Sequence, residues 1–279
     1  MQTPVLFWTL LGVLITLLLA IDLKVSSSKS REASIKLNAL LTLMYVGIAF
    51  LFCGFVWHTL GAKPAKDFFY AWFLEKTLSI DNVMVMSCVF SYFKIPSNSQ
   101  HRVLFYGILG VIILRAIAIG AGISLIHHFH WLMYGVSVLL IIMGIKMLFD
   151  NKKNTDFSKN VALTFMQKHL RITNTLHGNS FIITKVKNGV AQRWVTPLFV
   201  ALIIIEFLDI IFALDSLPAI FAITTDPFIV YSSNIFAILG LRSLYFVLSS
   251  MSNRFGFIHY LVGIMLVFIG IKSLYKLIF

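Results

Sequence analysis

EFLDIIFALDSLPAIFAITTDPFIVYSSN, residues 206–234, places three carboxylates, Glu206, Asp209 and Asp215, inside an apolar run that otherwise reads as a membrane-spanning helix. An acidic side chain near the middle of a span costs about 2.5–3.5 kcal/mol to insert, so such residues face an ion pathway or a partner. A second stretch, EKTLSIDN at residues 75–82, repeats the arrangement with Glu75 and Asp81. Five acids in apolar surroundings imply a polar site within a membrane bundle.

The rest of the chain agrees with that setting. Its 279 residues are 59% hydrophobic and 12% charged, and several apolar runs have the roughly twenty-residue length that crosses a bilayer. The expected class is an all-α, polytopic membrane helical bundle of about eight spans. The net charge of +12 comes from Lys and Arg gathered in loops between spans, which a positive-inside bias explains, so nucleic acid is not an expected partner. Cys53 and Cys88 lie in separate apolar runs with no CxxC spacing and imply neither a disulfide framework nor a thiolate metal site.

The first span, residues 4–21, lacks a basic leader and a small-residue cleavage site and reads as a retained helix. Lys24, Lys29, Arg31 and Lys36 assign the loop 22–36 to the cytoplasm, which puts the N-terminus outside. Span two covers 37–57, span three 68–93, span four 103–126 and span five 131–149, with His127, His128 and His130 in an outer turn. Residues 150–196 carry eight Lys or Arg and form the expected cytoplasmic loop, with an amphipathic helix near 161–170 and a hairpin turning at Asn188-Gly189. Span six (197–220) runs outward, span seven (228–250) returns, and span eight begins near Phe257. The expected divisions are 1–66 for spans one and two, 67–149, the loop 150–196, and 197–279.

The second and fourth divisions resemble each other. Tyr134 precedes Gly144-Ile145-Lys146 as Tyr260 precedes Gly270-Ile271-Lys272, Leu114-Arg115 answers Leu241-Arg242, and Glu75 with Asp81-Asn82 answers Asp209 with Asp215-Ser216. Each copy holds three spans, an odd number, so spans 3–5 and spans 6–8 form two inverted three-helix repeats. Inverted repeats with polar groups near the midplane are the architecture of secondary transporters.

At 100° per residue, Glu75, Ser79 and Asn82 share one helix face, as do Asp209 and Ser216, while Asp81 and Asp215 point away. Pro218 lacks an N–H and crowds the carbonyl of Leu214, so span six is expected to kink or open beside Asp215 and free carbonyl ligands. The candidate metal ligands are Glu75, Asp81, Asn82, Glu206, Asp209, Asp215 and Ser216, supported by Ser79, Arg115, Asn234, Arg242 and Pro218. Carboxylates, amides, hydroxyls and carbonyls are hard oxygen donors suited to Mg²⁺, Ca²⁺ or Mn²⁺. Met86 on the same face would favour Mn²⁺, although a methionine there also serves packing. Arg115 and Arg242 are expected to pair with the acids when no cation is bound, or else to brace the helices.

The segments at 73–82, FSYFKIP at 90–96, the long motif at 206–246 and the two Gly-Ile-Lys stretches closely resemble the TerC family of integral membrane proteins, over nearly the whole chain. That family takes its name from tellurium resistance and includes bacterial inner-membrane manganese exporters; the likeness is strongest to the Alx-like group. The resemblance implies a multi-pass protein of the bacterial inner membrane that exports Mn²⁺. Such proteins usually continue into a ninth span, whereas this sequence stops at Phe279, which is expected of a short or truncated member.

The function expected is therefore transport and not enzymatic catalysis. Mn²⁺ is the leading substrate, Ca²⁺ or another divalent cation the alternative, and protons the counter-ion, with no prosthetic group. The partners are the metal ion, protons and membrane lipid, and a homo-oligomer is compatible with the pattern. An intramembrane aspartyl hydrolase lacks a GxGD-type motif here and leaves Glu75 and Asp209 surplus. A membrane component of a tellurite-response complex leaves five acids without a role.

Overall fold

A computed structural model describes residues 5–26, 35–129, 131–149, 170–173, 175–187, 190–249 and 256–278. In chain order its elements are α1 (Val5–Ser26), α2 (Ile35–Leu60), α3 (Ala62–Tyr92), α4 (Ser97–His128), α5 (Leu132–Phe149), β1 (Ile182–Lys187), β2 (Val190–Val195), α6 (Pro197–Ile223), α7 (Pro227–Ile238), α8 (Leu241–Ser249) and α9 (Gly256–Ile278). Among the described residues, five segments are long and apolar enough to cross a bilayer: Val5–Asp22, Ile35–Leu60, Ser97–Ile126, Pro197–Ile223 and Pro227–Ser249. Helix α3, with 31 residues and so about 46 Å long, has the length for a crossing but carries more charge.

Polarity is distributed as lipid requires. Leu51, Ile113, Ile142 and Phe268 are all at least 60% exposed, whereas Glu75, Arg115, Asp209 and Asn234 are at most 2% exposed. Water would favour the reverse, so the outer apolar faces are lipid faces and the interior holds the polar groups. The protein is a helical membrane bundle.

Helix α3 occupies the centre, in contact with α2, α6, α7 and α8, and α4 packs against α6 and α7. An aromatic cluster of Phe52, Phe68, Phe228 and Phe236 joins α2, α3 and α7. Asp226 starts α7 by accepting from the backbone N–H groups of Phe228 (2.9 Å) and Ile229 (3.2 Å), with Pro227 in the first turn where its missing N–H costs nothing. Helices α5 and α9 pack antiparallel: Tyr134 Oη donates to Leu277 O at 2.8 Å, Ser137 Oγ to Ser273 Oγ at 2.8 Å, and Gly144 lies against Gly263. Strands β1 and β2 pair antiparallel from Ile182↔Val195 to Lys187↔Val190. The turn at 188–189 and the amphipathic segment 161–169 lie outside the described residues.

The helix break is not where Pro218 places it. Helix α6 runs from Pro197 to Ile223 through Pro218, and the interruption falls in the next span, between α7 and α8 at Leu239 and Gly240. One proline removes one ladder bond, which a buried spanning helix tolerates. Gly240 instead adopts φ +80°, a left-handed conformation that ends α7.

Candidate ion site

The Arg115 side chain, from the middle of α4, reaches three other helices. Nη1 donates to Glu75 Oε1 of α3, to Asn234 Oδ1 of α7 at 2.9 Å and to Ser216 Oγ of α6 at 3.4 Å, and Nε donates to Asp209 Oδ2 of α6 at 3.3 Å. Nη1 has two hydrogens for three oxygens, so the longest contact, Ser216, is the weakest. Both ion pairs are removed from lipid and water alike, with Arg115 and Glu75 each 1% exposed. Their mutual attraction offsets desolvation only because both charges are present and bonded. Glu75 Oε2 and Asn234 Nδ2 remain buried without a partner among the described residues.

Glu206 stands one turn before Asp209 on α6. Its carboxyl lies over Gly107 and Gly110 of α4, where a Cβ on Gly110 would collide with it, and its buried Oε2 has no partner among the described residues. The other expected ligands divide. Ser79 Oγ donates to the Glu75 carbonyl of its own helix at 2.8 Å and so is turned along α3. Asn82 is buried. Met86 packs in the apolar cluster with Val83, Val89 and Phe90. Asp81 and Asp215 have helical backbones, but their side chains lie outside the described residues, as do those of His127 and His130. Among the described residues no group of three His, Cys, Asp or Glu could hold a metal ion by itself.

Arg242 corrects the expectation that it pairs with the site acids. Its Nη2 donates to both Oδ1 (2.7 Å) and the carbonyl (2.8 Å) of Asp22 on α1, and Tyr45 Oη of α2 donates to the same Oδ1 at 3.2 Å. Arg242 stands at the start of α8, just past the break, and so faces α1 instead of α6.

The two acids, the amide and the hydroxyl gathered around Arg115 all fall in the stretches that carry the sequence resemblance. Residues 60–278 match the description "Integral membrane protein TerC family". The chain belongs to the TerC family. This TerC chain is 43% identical over 265 residues to an "Uncharacterized membrane protein" of Rickettsia bellii (strain RML369-C), covering 95% of this chain and 86% of that one. It is also 41% identical over 278 residues to the "Putative membrane-bound redox modulator Alx" of Photorhabdus laumondii (96% and 86% covered) and 40% identical over 281 residues to the protein of that name from Escherichia coli O6:H1 (98% and 86% covered). No solved structure matches it.

Sequence reasoning missed two residues of this TerC interior. Lys76, next to Glu75 on α3, sends Nζ to the carbonyls of Ala237 (3.0 Å) and Leu239 (3.4 Å) at the end of α7. The signal was present, because any ionisable residue inside a span is a functional candidate, basic or acidic. Asp22 sits one residue past the end assigned to span one and looked like a loop acid; its burial follows from the longer α1.

Proposed function

We propose that this protein is a divalent-cation carrier of the bacterial inner membrane, not an enzyme, and that its leading substrate is Mn²⁺ exported in exchange for protons. The observation that supports this reading is Arg115 lodged between Glu75 and Asp209, with Asn234 and Ser216 around it. A guanidinium held by carboxylates from two helices is a built-in counter-ion, occupying the oxygen-rich place that a hard cation would take. A divalent ion that reaches these oxygens competes with Arg115, and its return when the ion leaves lowers the cost of emptying the site. Protons compete for the same carboxylates, so acidification on the receiving side favours release.

In this reading spans 3–5 and 6–8 are inverted repeats meeting at the site, the N-terminus is outside, residues 22–36 and 150–196 are cytoplasmic, and Asp81 and Asp215 add ligands from the two repeats. The antiparallel α5 and α9 are compatible with that topology. Glu206 would form a second station one turn along α6.

Transport into everted membrane vesicles tests the reading. With an acidic lumen, vesicles containing the protein should accumulate Mn²⁺, and a protonophore should stop them. Cells expressing the chain should lose total Mn²⁺; loss confined to Ca²⁺ would make Ca²⁺ the substrate. Unchanged content of every divalent metal would remove the carrier reading, and accumulation undiminished by the protonophore would remove the proton exchange.

A further inference from the structure

Helices α7 and α8 belong to a single apolar run, Pro227–Ser249, that is interrupted inside the bundle. Leu239 takes ψ 130° and Gly240 φ +80°, so the chain leaves and re-enters helical geometry within two residues. The last bond of α7 runs from Leu239 N–H to Ile235 O (2.9 Å), and the ladder resumes with Leu244 N–H donating to Gly240 O (2.9 Å). Carbonyls at the end of α7 therefore lack the amides that a continuous helix would supply. In a membrane interior they need another donor, because no bulk water reaches them.

Lys76 provides it. Its ammonium lies 3.0 Å from Ala237 O and 3.4 Å from Leu239 O. No carboxylate pairs with it among the described residues. Among the described residues the positive charge faces peptide dipoles: two carbonyls and the negative end of α7. Carbonyls of an unwound segment together with a helix C-terminus are the ligand set that binds a small monovalent cation in a membrane interior. A divalent ion would also need carboxylate ligands to offset its dehydration.

The carbonyls are held in place by contacts that do not involve Lys76. A Cβ on Gly240 would lie 2.6 Å from the Tyr45 ring, so α2 supports the break closely, and Arg242 just beyond it is fixed to Asp22 of α1. We propose that the α7–α8 break is a monovalent-cation site which the chain keeps filled with its own Lys76 ammonium, and that removing the amine opens it to Na⁺ or a small alkylammonium ion. The inference rests on the geometry of the break and stands or falls apart from the carrier reading above.

The test uses the full chain in lipid nanodiscs and reads thermal unfolding together with hydrogen exchange at the amides of residues 241–244. Choline chloride, whose cation is too large for the site, holds ionic strength constant while NaCl or methylammonium chloride replaces it. Lys76→Ala in choline should unfold several degrees below wild type and exchange faster at the break. Na⁺ or methylammonium should reverse both changes saturably. Wild type and Lys76→Arg should respond to neither ion. If Lys76→Ala does not survive purification, Lys76→Gln carries the same comparison, keeping hydrogen-bond donors but no charge. A neutral variant as stable as wild type in choline, or a sodium response equal in variant and wild type, overturns the proposal.

Discussion

Gly144 on α5 and Gly270 on α9 play the same part in one helix pair. A Cβ on Gly144 would lie 2.7 Å from Gly263 O and a Cβ on Gly270 2.9 Å from Ser137 O. The same sequence interval separates Gly144 from Gly270 and Ser137 from Gly263, so the two close approaches pair matching positions across one seam. Only glycine lets the backbones approach this closely, which is how helices associate where lipid supplies no hydrophobic drive between them.

The seam predicts two outcomes for α5 and α9. Ser137→Cys with Ser273→Cys should form a disulfide under mild oxidation, since their hydroxyl oxygens are 2.8 Å apart. Gly144→Leu and Gly270→Leu should each destabilise the protein by about 1–3 kcal/mol through overpacking, and by similar amounts. Electrophoresis of the oxidised double mutant and thermal unfolding of the glycine variants check this; strongly unequal losses would argue against equivalent roles.

Arg115→Met should cost about 3–5 kcal/mol in the absence of metal, because Glu75 and Asp209 lose their buried counter-charge. The vacated site should then gain more from a divalent ion than the wild-type site does. The expected reading is a larger rise of the unfolding midpoint with Mn²⁺ for Arg115→Met than for wild type. A variant indifferent to Mn²⁺ would show that these acids do not face a cation path.

Glu75→Gln and Asp209→Asn should each lower Mn²⁺ accumulation in vesicles by about a hundredfold, the equivalent of about 3 kcal/mol of lost ion stabilisation. Asp81→Asn and Asp215→Asn are expected to behave alike, with protein levels in the membrane unchanged. An amide keeps size and one oxygen but loses the charge that offsets stripping water from the ion. Changing His127, His128 or His130 should leave transport within twofold of wild type, about 0.4 kcal/mol. Normal transport by Asp209→Asn would refute the site.

Gly240→Ala should destabilise on two grounds. Its φ of +80° costs a residue with a Cβ about 1–2 kcal/mol, and that Cβ would meet the Tyr45 ring at 2.6 Å. Tyr45→Ala in the same chain should recover the steric part but not the backbone part. Unfolding midpoints of the two single variants and the double variant separate these contributions; a double variant showing the simple sum would mean the ring and the Cβ never meet.

Much of the fold was legible because lipid limits the chain so severely. Backbone polar groups in a span must be satisfied within the protein, for most of them within their own helix, so a long apolar run reads as helix, and acids inside it are costly enough to announce a site. Glu75 and Asp209 were found that way. The pairing of Arg115 with them was foreseeable as charge balance among scarce intramembrane ions. For Arg242 the same logic led to the wrong partner, because the acid it meets, Asp22, stands at the end of α1 and not on α3 or α6.

Sequence by itself determined that the protein is a helical membrane bundle with an acidic interior, since length, hydropathy and charge are properties of each segment alone. Tertiary structure decided that α6 continues through Pro218 while the next span opens at Gly240, and that Lys76 rather than a proline-freed carbonyl marks the break. Those outcomes depend on what stands opposite each helix. A lost ladder bond persists where a neighbour such as Lys76 supplies the missing donor, and which neighbour does so depends on rotation and packing between helices, information that no periodicity within one span contains.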